Sequence, residues 1–409
     1  MSLIIQQTFT VLEKGTVTAP QGYKAAGLHA GIKKKRKDIA LIVSEVPAAA
    51  AGVFTTNLVR AACVTQNEAQ LKEVPYLQAI VINSGNANAC TGAQGEADAL
   101  TMRNHTAQEL GLPEHGVAIA STGVIGVQMP MVPLLAGISQ ATEELSVAGG
   151  EDFAQAILTT DTGSKEIAVQ LTVDGRLVTL GGAAKGSGMI HPNMATMLAF
   201  VTTDAAVEPA ALQTLLRRTT DQTYNRITVD GDTSTNDMVL VMANGLAGNA
   251  PLGEQHPQWE EFAAAFRYVS EKLAKDIARD GEGATKLIEV IVQGAASERI
   301  ASQIAKSIIG SSLVKTAVYG ADANWGRILA AAGYSGAPFD PARVDIWLGS
   351  IQVAEGGMGL LFDEEAAKEY LLGDPVTITV DLHQGDHAAT AYGCDLTYDY
   401  VRINASYRT

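Results

Sequence analysis

Short runs of β-branched residues alternate with longer amphipathic patterns along this chain of 409 residues, and this alternation constrains its fold most strongly. Strand-like runs occupy residues 38–46, 79–85 and 116–123, whereas residues 209–224 and 259–279 repeat apolar side chains at helical spacing. Such alternation is typical of proteins in which helices cover a sheet. We therefore predict an α/β (α+β) fold.

The segment 168–182 carries the strongest local signal, which is that of a β-hairpin. Two alternating strand patterns flank Asp174-Gly175, a pair that tolerates the positive φ angles of a type I′ turn. Closer to the carboxyl end, the patterns predict a helix at 297–309 and strands at 375–385 and 396–405. We find neither a fixed-period repeat nor a long linker.

The composition excludes several classes of protein. With 47% hydrophobic and 18% charged residues, the chain has ample apolar material for a large core. Its 29 Lys and Arg against 44 Asp and Glu give a net charge of -15, which repels nucleic acid and anionic membranes, so neither is predicted as a partner.

The sequence also indicates a compartment. Three widely spaced cysteines, Cys63, Cys90 and Cys394, predict neither a disulfide framework nor a zinc site. The first residues lack the pattern of a signal peptide, and no apolar run is long enough to span a membrane. We therefore expect a cytoplasmic protein.

Two charged motifs receive structural interpretations. The basic run at 33–37 is interpreted as a solvated turn and not as a polyanion site, because the chain as a whole is acidic. Residues 230–237 resemble a calcium loop, but Thr235 stands where such a loop needs glycine and Val241 where it needs glutamate. No metal site is predicted.

Residues 181–188 have the composition of a loop built for close contact with a ligand. Four glycines surround Lys185, so that backbone amides and one ammonium group can approach an anion. The spacing matches neither a P-loop nor a dinucleotide fingerprint. From the residues alone, a plain glycine-rich turn and a carboxylate or phosphate cradle remain equally open.

Thr196 lies where an irregular segment containing Pro192 gives way to an apolar strand pattern. A threonine hydroxyl is a poor nucleophile without a base, and no Ser-His-Asp or Cys-His pattern occurs nearby. If the chain were cut before Thr196, the new α-amino group, with an ordinary pKa of about 7.7–8.0, could act as that base. The alternative is that Thr196 is an ordinary strand residue.

Eight motifs resemble those of a known enzyme family. They are AGVFTTN (51–57), NSGNANACTG (83–92), STGVIG (121–126), KGSGMIHPNMATML (185–198), NRITVDGDTSTND (225–237), DGEGATK (280–286), SSLVKTAVYGADANWGRI (311–328) and YVRINASYRT (400–409). With them the sequence closely resembles the ornithine acetyltransferases, which are the glutamate N-acetyltransferases of the cyclic arginine pathway. The resemblance implies a two-lobed, DmpA-like fold of the amino-terminal-nucleophile type.

The resemblance further implies self-cleavage between Ala195 and Thr196. The products would be an α chain of residues 1–195 and a β chain of residues 196–409, which stay together and assemble as an α2β2 heterotetramer. Thr196 would then carry acetyl from N-acetylornithine to glutamate in a ping-pong cycle. No cofactor is expected, and acetyl-CoA is a candidate second donor.

The resemblance also assigns the remaining site residues. Thr122 and Gly123 would form the oxyanion hole, although residues 121–126 by themselves also fit a plain strand-ending turn. Besides Thr196, the implied substrate contacts are Thr159, Lys185, Glu282, Asn404 and Thr409. The alternative for Glu282 is an exposed residue at a helix end.

Two other functions stay open. One is an amino-terminal-nucleophile aminopeptidase or amidohydrolase, in which water takes the acyl group. The other is a non-catalytic amino-acid-binding protein, in which Thr196 is inert.

Overall fold

The computed structural model describes residues 8–191 and 197–406, and these contain two β-sheets and eleven α-helices. The strands are β1 (Phe9–Val11), β2 (Tyr23–Leu28), β3 (Ile39–Phe54), β4 (Tyr76–Asn86), β5 (Val117–Val124), β6 (Lys165–Val173), β7 (Arg176–Lys185), β8 (Leu198–Thr203), β9 (Ile227–Thr228), β10 (Met238–Ala243), β11 (Leu287–Ala295), β12 (Asp345–Leu348), β13 (Ile351–Glu355), β14 (Met358–Gly359), β15 (Val376–Asp381) and β16 (His387–Cys394). The helices are α1 (Ala62–Glu73), α2 (Gly92–Leu110), α3 (Met131–Glu143), α4 (Gly150–Ala156), α5 (Pro209–Gln222), α6 (Trp259–Arg279), α7 (Glu298–Gly310), α8 (Ser312–Tyr319), α9 (Trp325–Gly333), α10 (Glu364–Leu371) and α11 (Tyr398–Ser406). The predicted α/β class is confirmed.

The larger sheet has the strand order β1-β6-β7-β8-β10-β3-β4-β5, and β2 pairs with β3 beside this path. The pairs β8–β10 and β4–β5 are parallel, and the other pairs are antiparallel. Because successive side chains of a strand point to opposite faces, Leu240 belongs to the core on one face and Val241 to the core on the other. Helices α1–α4 cover the first face, and α5 and α6 cover the second.

The smaller sheet has the order β14-β13-β12-β15-β11-β16-β9 and packs against α7, α8 and α9. Helix α6 contacts both sheets, because its apolar side chains meet β6 and β7 as well as β16. Its fully buried Phe262, Phe266, Val269, Leu273 and Ile277 repeat at intervals of three and four residues, as the amphipathic pattern predicted. The helix therefore connects the two sheets.

The most local predictions are confirmed. Strands β6 and β7 form the hairpin, with Val173 opposite Arg176 and with Asp174 and Gly175 at φ angles of 52° and 70°. Positive φ at both central positions is the geometry that a type I′ turn requires. The helices predicted at 209–224, 259–279 and 297–309 are α5, α6 and α7.

Two predictions of local structure are wrong. Residues 396–405 were expected to form a strand, but Tyr398–Ser406 form helix α11. The glycine-rich stretch was expected to be a loop from Gly181 onward, but strand β7 continues to Lys185. Glycine serves there to let another segment approach, because a Cβ added at Gly181 would lie 2.2 Å from the carbonyl oxygen of Thr16.

The predicted cleavage point does not separate two folding units. Strand β8 lies between β7 and β10, and β10 in turn pairs with β3, so segments from both sides of residue 195 share one sheet. Lys185 at the end of β7 lies opposite Leu198 at the start of β8. Among the described residues, no helix combines the length and the apolar character needed to cross a bilayer.

Candidate active site

A pocket lies where β5 and β7 end and β8 begins, and both halves of the chain line it. It brings together six residues that were predicted for the site, which are Thr122, Gly123, Thr159, Lys185, Glu282 and Asn404. The predicted Ala195, Thr196 and Thr409 lie outside the described residues. Met197, which directly follows Thr196 in the chain, is buried and lines the pocket.

Thr122 and Gly123 lie near the carboxyl end of β5, and the neighbouring parallel strand β4 fixes their backbone. Gly123 lies opposite Gly85, and its φ is 134°, a conformation that side-chain-bearing residues rarely adopt. A Cβ added to Gly123 would lie 2.4 Å from the carbonyl carbon of Gly85. Glycine is therefore required at this position, both for its dihedral angle and for its space.

Lys185 is the last residue of β7 and is only 8% exposed. Its Nζ donates hydrogen bonds to Oγ1 of Thr159 at 3.0 Å and to Oγ1 of Thr122 at 3.3 Å. Burial lowers the pKa of this ammonium, and the carboxylate of Asp161 opposes the shift. Since neither direct partner is an anion, the Lys185 charge is suited to a carboxylate on a ligand.

Asp161 organises the loop beneath Lys185. One carboxylate oxygen accepts from the Gly186 amide at 2.7 Å and from Lys165 Nζ at 2.8 Å, and the other accepts from the Thr159 amide at 2.9 Å. Burial alone would raise the pKa of this carboxyl, but the Lys185 and Lys165 ammonium groups outweigh it and hold the pKa well below its usual range. Asp161 therefore remains ionised and fixes the position of Thr159.

A second ion pair ties this loop to the turn that carries Glu282. Lys165 Nζ lies 2.6 Å from the carboxylate of Asp280, at the end of α6. The backbone carbonyl of Asp280 accepts from Ser187 Oγ at 2.7 Å, and the carbonyl of Ser187 accepts from the Glu282 amide at 2.9 Å. The positions of Thr159 and Glu282 are thus linked through a continuous set of polar contacts.

Glu282 is buried, with 8% of its surface exposed, so the alternative of an exposed helix-end residue is excluded. Its Oε2 accepts a hydrogen bond from Asn404 Nδ2 at 2.8 Å. The turn before the predicted cleavage point packs closely on the same carboxylate, because a Cβ added at Gly188 would lie 2.5 Å from Glu282 Oε1. The carboxylate is held between this turn and α11.

Sequence comparison identifies the family. The ArgJ family model matches residues 24–409. The chain belongs to the ArgJ family. The predicted family, and with it the prediction of an arginine-biosynthesis enzyme, is therefore confirmed.

Relatives named arginine biosynthesis bifunctional protein ArgJ cover almost the whole chain. That of Symbiobacterium thermophilum is 58% identical over 398 residues, which cover 97% of this chain and 99% of the relative. That of Geobacillus kaustophilus is 56% identical over 400 residues, or 98% of each chain. A crystal structure of the Bacillus halodurans protein of the same name matches 52% of this chain and 100% of the solved chain, with 58% identity and a TM-score of 0.51.

Three residues in or next to this ArgJ pocket received no site role from the sequence, namely Asp161, Asp230 and Tyr400. Asp161 is a lone acid in a loop, and no spacing pattern distinguishes it from a solvated residue, whereas Asp230 is the first residue of the segment 230–237 that was compared with a calcium loop. Asp230 accepts from the Met189 amide at 2.7 Å and from the Ile190 amide at 2.8 Å. Tyr400 stands four residues before Asn404, and this spacing was the one available signal that it shares a face with that predicted contact.

The ArgJ pocket separates its charges. The Lys185 ammonium lies beside Thr122 and Thr159, whereas the Glu282 carboxylate lies beside Asn404 on another element. A ligand with one carboxylate and one ammonium group matches this arrangement. Among the described residues, no three His, Cys, Asp or Glu side chains are grouped so that they could hold a metal ion.

Proposed function

We propose that this protein transfers the acetyl group of N2-acetyl-L-ornithine to L-glutamate, through an acetyl ester on Thr196. The supporting observation is the pocket itself, which Gly123, Lys185 and Glu282 line together with Met197, the residue that follows the proposed nucleophile. The products are L-ornithine and N-acetyl-L-glutamate.

Self-cleavage would generate the nucleophile. The Thr196 hydroxyl attacks the carbonyl carbon of Ala195, the acyl group moves from nitrogen to oxygen, and water hydrolyses the ester. The α-amino group of Thr196 is then free to act as a base. The length of the solved B. halodurans chain supports this step, since all of it aligns with only 52% of the present chain, as one fragment of a cleaved relative would.

In each turnover, the charges of the pocket orient the donor. The α-carboxylate of N-acetylornithine pairs with Lys185, and its side-chain ammonium pairs with Glu282. The Thr196 hydroxyl attacks the acetyl carbonyl while the Thr196 amine takes its proton, and the backbone at Thr122 and Gly123 stabilises the oxyanion. The proton passes to the departing ornithine amine. The glutamate amine then attacks the ester and restores Thr196.

Acetyl-CoA is the second donor in this proposal, and no cofactor takes part. The relatives' name, which describes them as bifunctional, supports a second activity. The fragments remain together as an α2β2 heterotetramer.

The decisive experiment combines Thr196→Ala with sequencing of the purified wild-type protein. The wild type should give two bands on denaturing electrophoresis. The first residue of the carboxyl-terminal fragment should be Thr196. Thr196→Ala should remain one chain of 42.8 kDa. Its acetyl transfer should fall by at least about 10³-fold, because nucleophile and base are lost together. A fragment that starts elsewhere, or an active Thr196→Ala protein, would contradict the proposal.

The same preparation distinguishes a transferase from a hydrolase of the same nucleophile type. With labelled N-acetylornithine and glutamate, the label should appear on glutamate. Release of the label mainly as free acetate would favour the hydrolase, and no release at all would favour a non-catalytic binding protein.

A further inference from the structure

The basic segment 33–37 has no role in the proposed reaction, yet it lies against the pocket. Lys33 Nζ donates to the carbonyl of Leu158 at 2.8 Å, and the Arg36 guanidinium donates to the carbonyl of Thr159 at 3.2 Å. Thr159 contacts Lys185 inside the pocket. The segment therefore packs on the loop that contains Leu158 and Thr159. The prediction of a simple solvated turn is incomplete.

A buried carboxylate holds the segment in a defined conformation. Asp38 is fully buried, and its Oδ1 accepts from the Ala30 amide at 2.6 Å. Its Oδ2 accepts from the Lys33 amide at 2.8 Å and from the Gly31 amide at 3.2 Å. These bonds fix the backbone from which the cations project.

The segment also borders the proposed oxyanion hole. A Cβ added at Gly85 would lie 2.8 Å from Cγ of Lys33, and Gly85 is the residue paired with Gly123. The aliphatic part of Lys33 thus packs against the strand pair that carries the proposed oxyanion donors. The basic segment lies on that side of the pocket.

The positive charges of the segment are only partly neutralised. Lys37 pairs with Asp152, whereas Lys34 and Lys35 are exposed and form no ion pair with any described residue. Burial lowers the pKa of Lys33 to about 8, and repulsion from Arg36 and Lys185 adds to the shift, although Asp38 opposes it. A bound anion would relieve this repulsion.

We propose that the basic segment 33–37 binds the phosphate groups of a phosphorylated acyl donor of the acetyl-CoA class, whose acetyl end enters the pocket past Gly85 and Gly123. This inference rests on the proposed function. N-acetylornithine finds partners for both of its charges within the pocket, in Lys185 and Glu282, so it has no need of cations outside it. A nucleotide donor carries several phosphate charges, which match a group of uncompensated cations.

The chemistry of this second reaction balances without a further reactant. The Thr196 hydroxyl oxygen forms a bond to the thioester carbonyl carbon, and the carbon–sulfur bond breaks. The sulfur leaves as a thiol, with the proton that the Thr196 amine took from the hydroxyl. The resulting acetyl ester is the same as that formed from N-acetylornithine, so the phosphates contribute to binding alone.

Charge reversal at Lys34 and Lys35 tests the proposal. Lys34→Glu and Lys35→Glu should each raise KM for acetyl-CoA about tenfold, because attraction becomes repulsion, and should leave KM for N-acetylornithine within about twofold. The matched control is Arg176→Glu. Arg176 is an exposed cation at the hairpin turn, roughly 30 Å along β7 from Lys185, and its reversal should change neither constant. Equal effects of Lys35→Glu and Arg176→Glu would overturn the proposal.

Two probes separate the phosphate contribution from catalysis. Wild type should prefer acetyl-CoA to S-acetylpantetheine, which lacks the nucleotide, by at least about tenfold in kcat/KM, and Lys35→Glu should remove the preference. Calorimetry should detect desulfo-coenzyme A binding to wild type and weaker binding to Lys35→Glu. Displacement by inorganic phosphate at equal concentration would overturn the assignment to a nucleotide donor.

The outcomes distinguish this inference from the proposed function. Transfer from N-acetylornithine without any binding of desulfo-coenzyme A would overturn the inference alone. Lys35-dependent binding of desulfo-coenzyme A in a protein that transfers acetyl from neither donor would overturn the proposed function and support the site.

Discussion

Gly188 sets how closely the turn before the predicted cleavage point approaches Glu282. A methyl group at this position would lie 2.5 to 2.6 Å from the carboxylate atoms, so the flexible Glu282 side chain has to shift. We expect Gly188→Ala to raise KM for N-acetylornithine by about 10- to 100-fold, because the loss of a hydrogen bond or ion pair to a charged group costs about 1.5–3 kcal/mol. Steady-state kinetics with N-acetylornithine and glutamate measure this change.

Gly163→Ala is the matched control. Gly163 lies in the neighbouring loop, where an added Cβ would meet no atom within 4 Å. Gly163→Ala should therefore leave KM within about twofold, since a surface substitution usually changes little. Equal kinetics for Gly188→Ala and wild type would contradict the role given to the Glu282 carboxylate.

The sequence indicated which residues line the pocket, but not which contacts hold those residues in position. Motif resemblance predicted Lys185, Glu282 and Asn404, and the structure places all three at one pocket. The Asp161–Lys165 contact that supports them was not predicted. The strength of this ion pair depends on burial, and burial is a property of the folded chain, not of the sequence around a lone aspartate.

Among the elements, the hairpin and the terminal helix show where sequence patterns succeed and fail. Asp174-Gly175 specifies its turn by local dihedral preference, so β6 and β7 were predictable. Residues 396–405 alternate apolar and polar side chains and were taken for a strand. Helix α11 has no buried residue, and contacts such as that between Tyr398 and Tyr319 favour a conformation that periodicity alone did not indicate.

Removal of helix α11 should impair substrate binding more than stability. A chain that ends after Thr397 loses Tyr400 and Asn404 from the pocket, but it loses no buried side chain of α11. We expect KM for N-acetylornithine to rise at least about tenfold, from the lost Asn404 contact with Glu282. The melting temperature should fall by less than about 4 °C, because little apolar surface is exposed.

Two variants locate the effect of that truncation. Asn404→Ala should reproduce most of the change in KM, whereas Arg402→Ala should not, since Arg402 is exposed and pairs only with Asp399 among the described residues. A chain that ends after Ser406 tests the predicted contact of Thr409 separately. Wild-type kinetics in the chain that ends after Thr397 would exclude α11 from the site.

For the whole molecule, the large sheet explains how a cut chain would remain one protein. Strand β8 pairs with β7, from Thr203 opposite Leu180 to Leu198 opposite Lys185. Strand β10 pairs with β3, from Met238 opposite Phe54 to Ala243 opposite Ala49. All side chains of β8 and β10 are buried. Separation would expose apolar strands with unpaired edges, which is unfavourable in water.

We therefore expect an affinity tag at the amino terminus to retain both fragments of the cleaved protein. Retention should persist in 1 M salt, because apolar burial and strand pairing are not screened as surface ion pairs are. It should be lost in urea at the concentration at which circular dichroism reports unfolding, since separation requires disruption of the shared sheet. Denaturing electrophoresis of the washed and urea-eluted fractions measures both. Release of the carboxyl-terminal fragment by salt alone would show that polar surface contacts, and not the sheet, join the two halves.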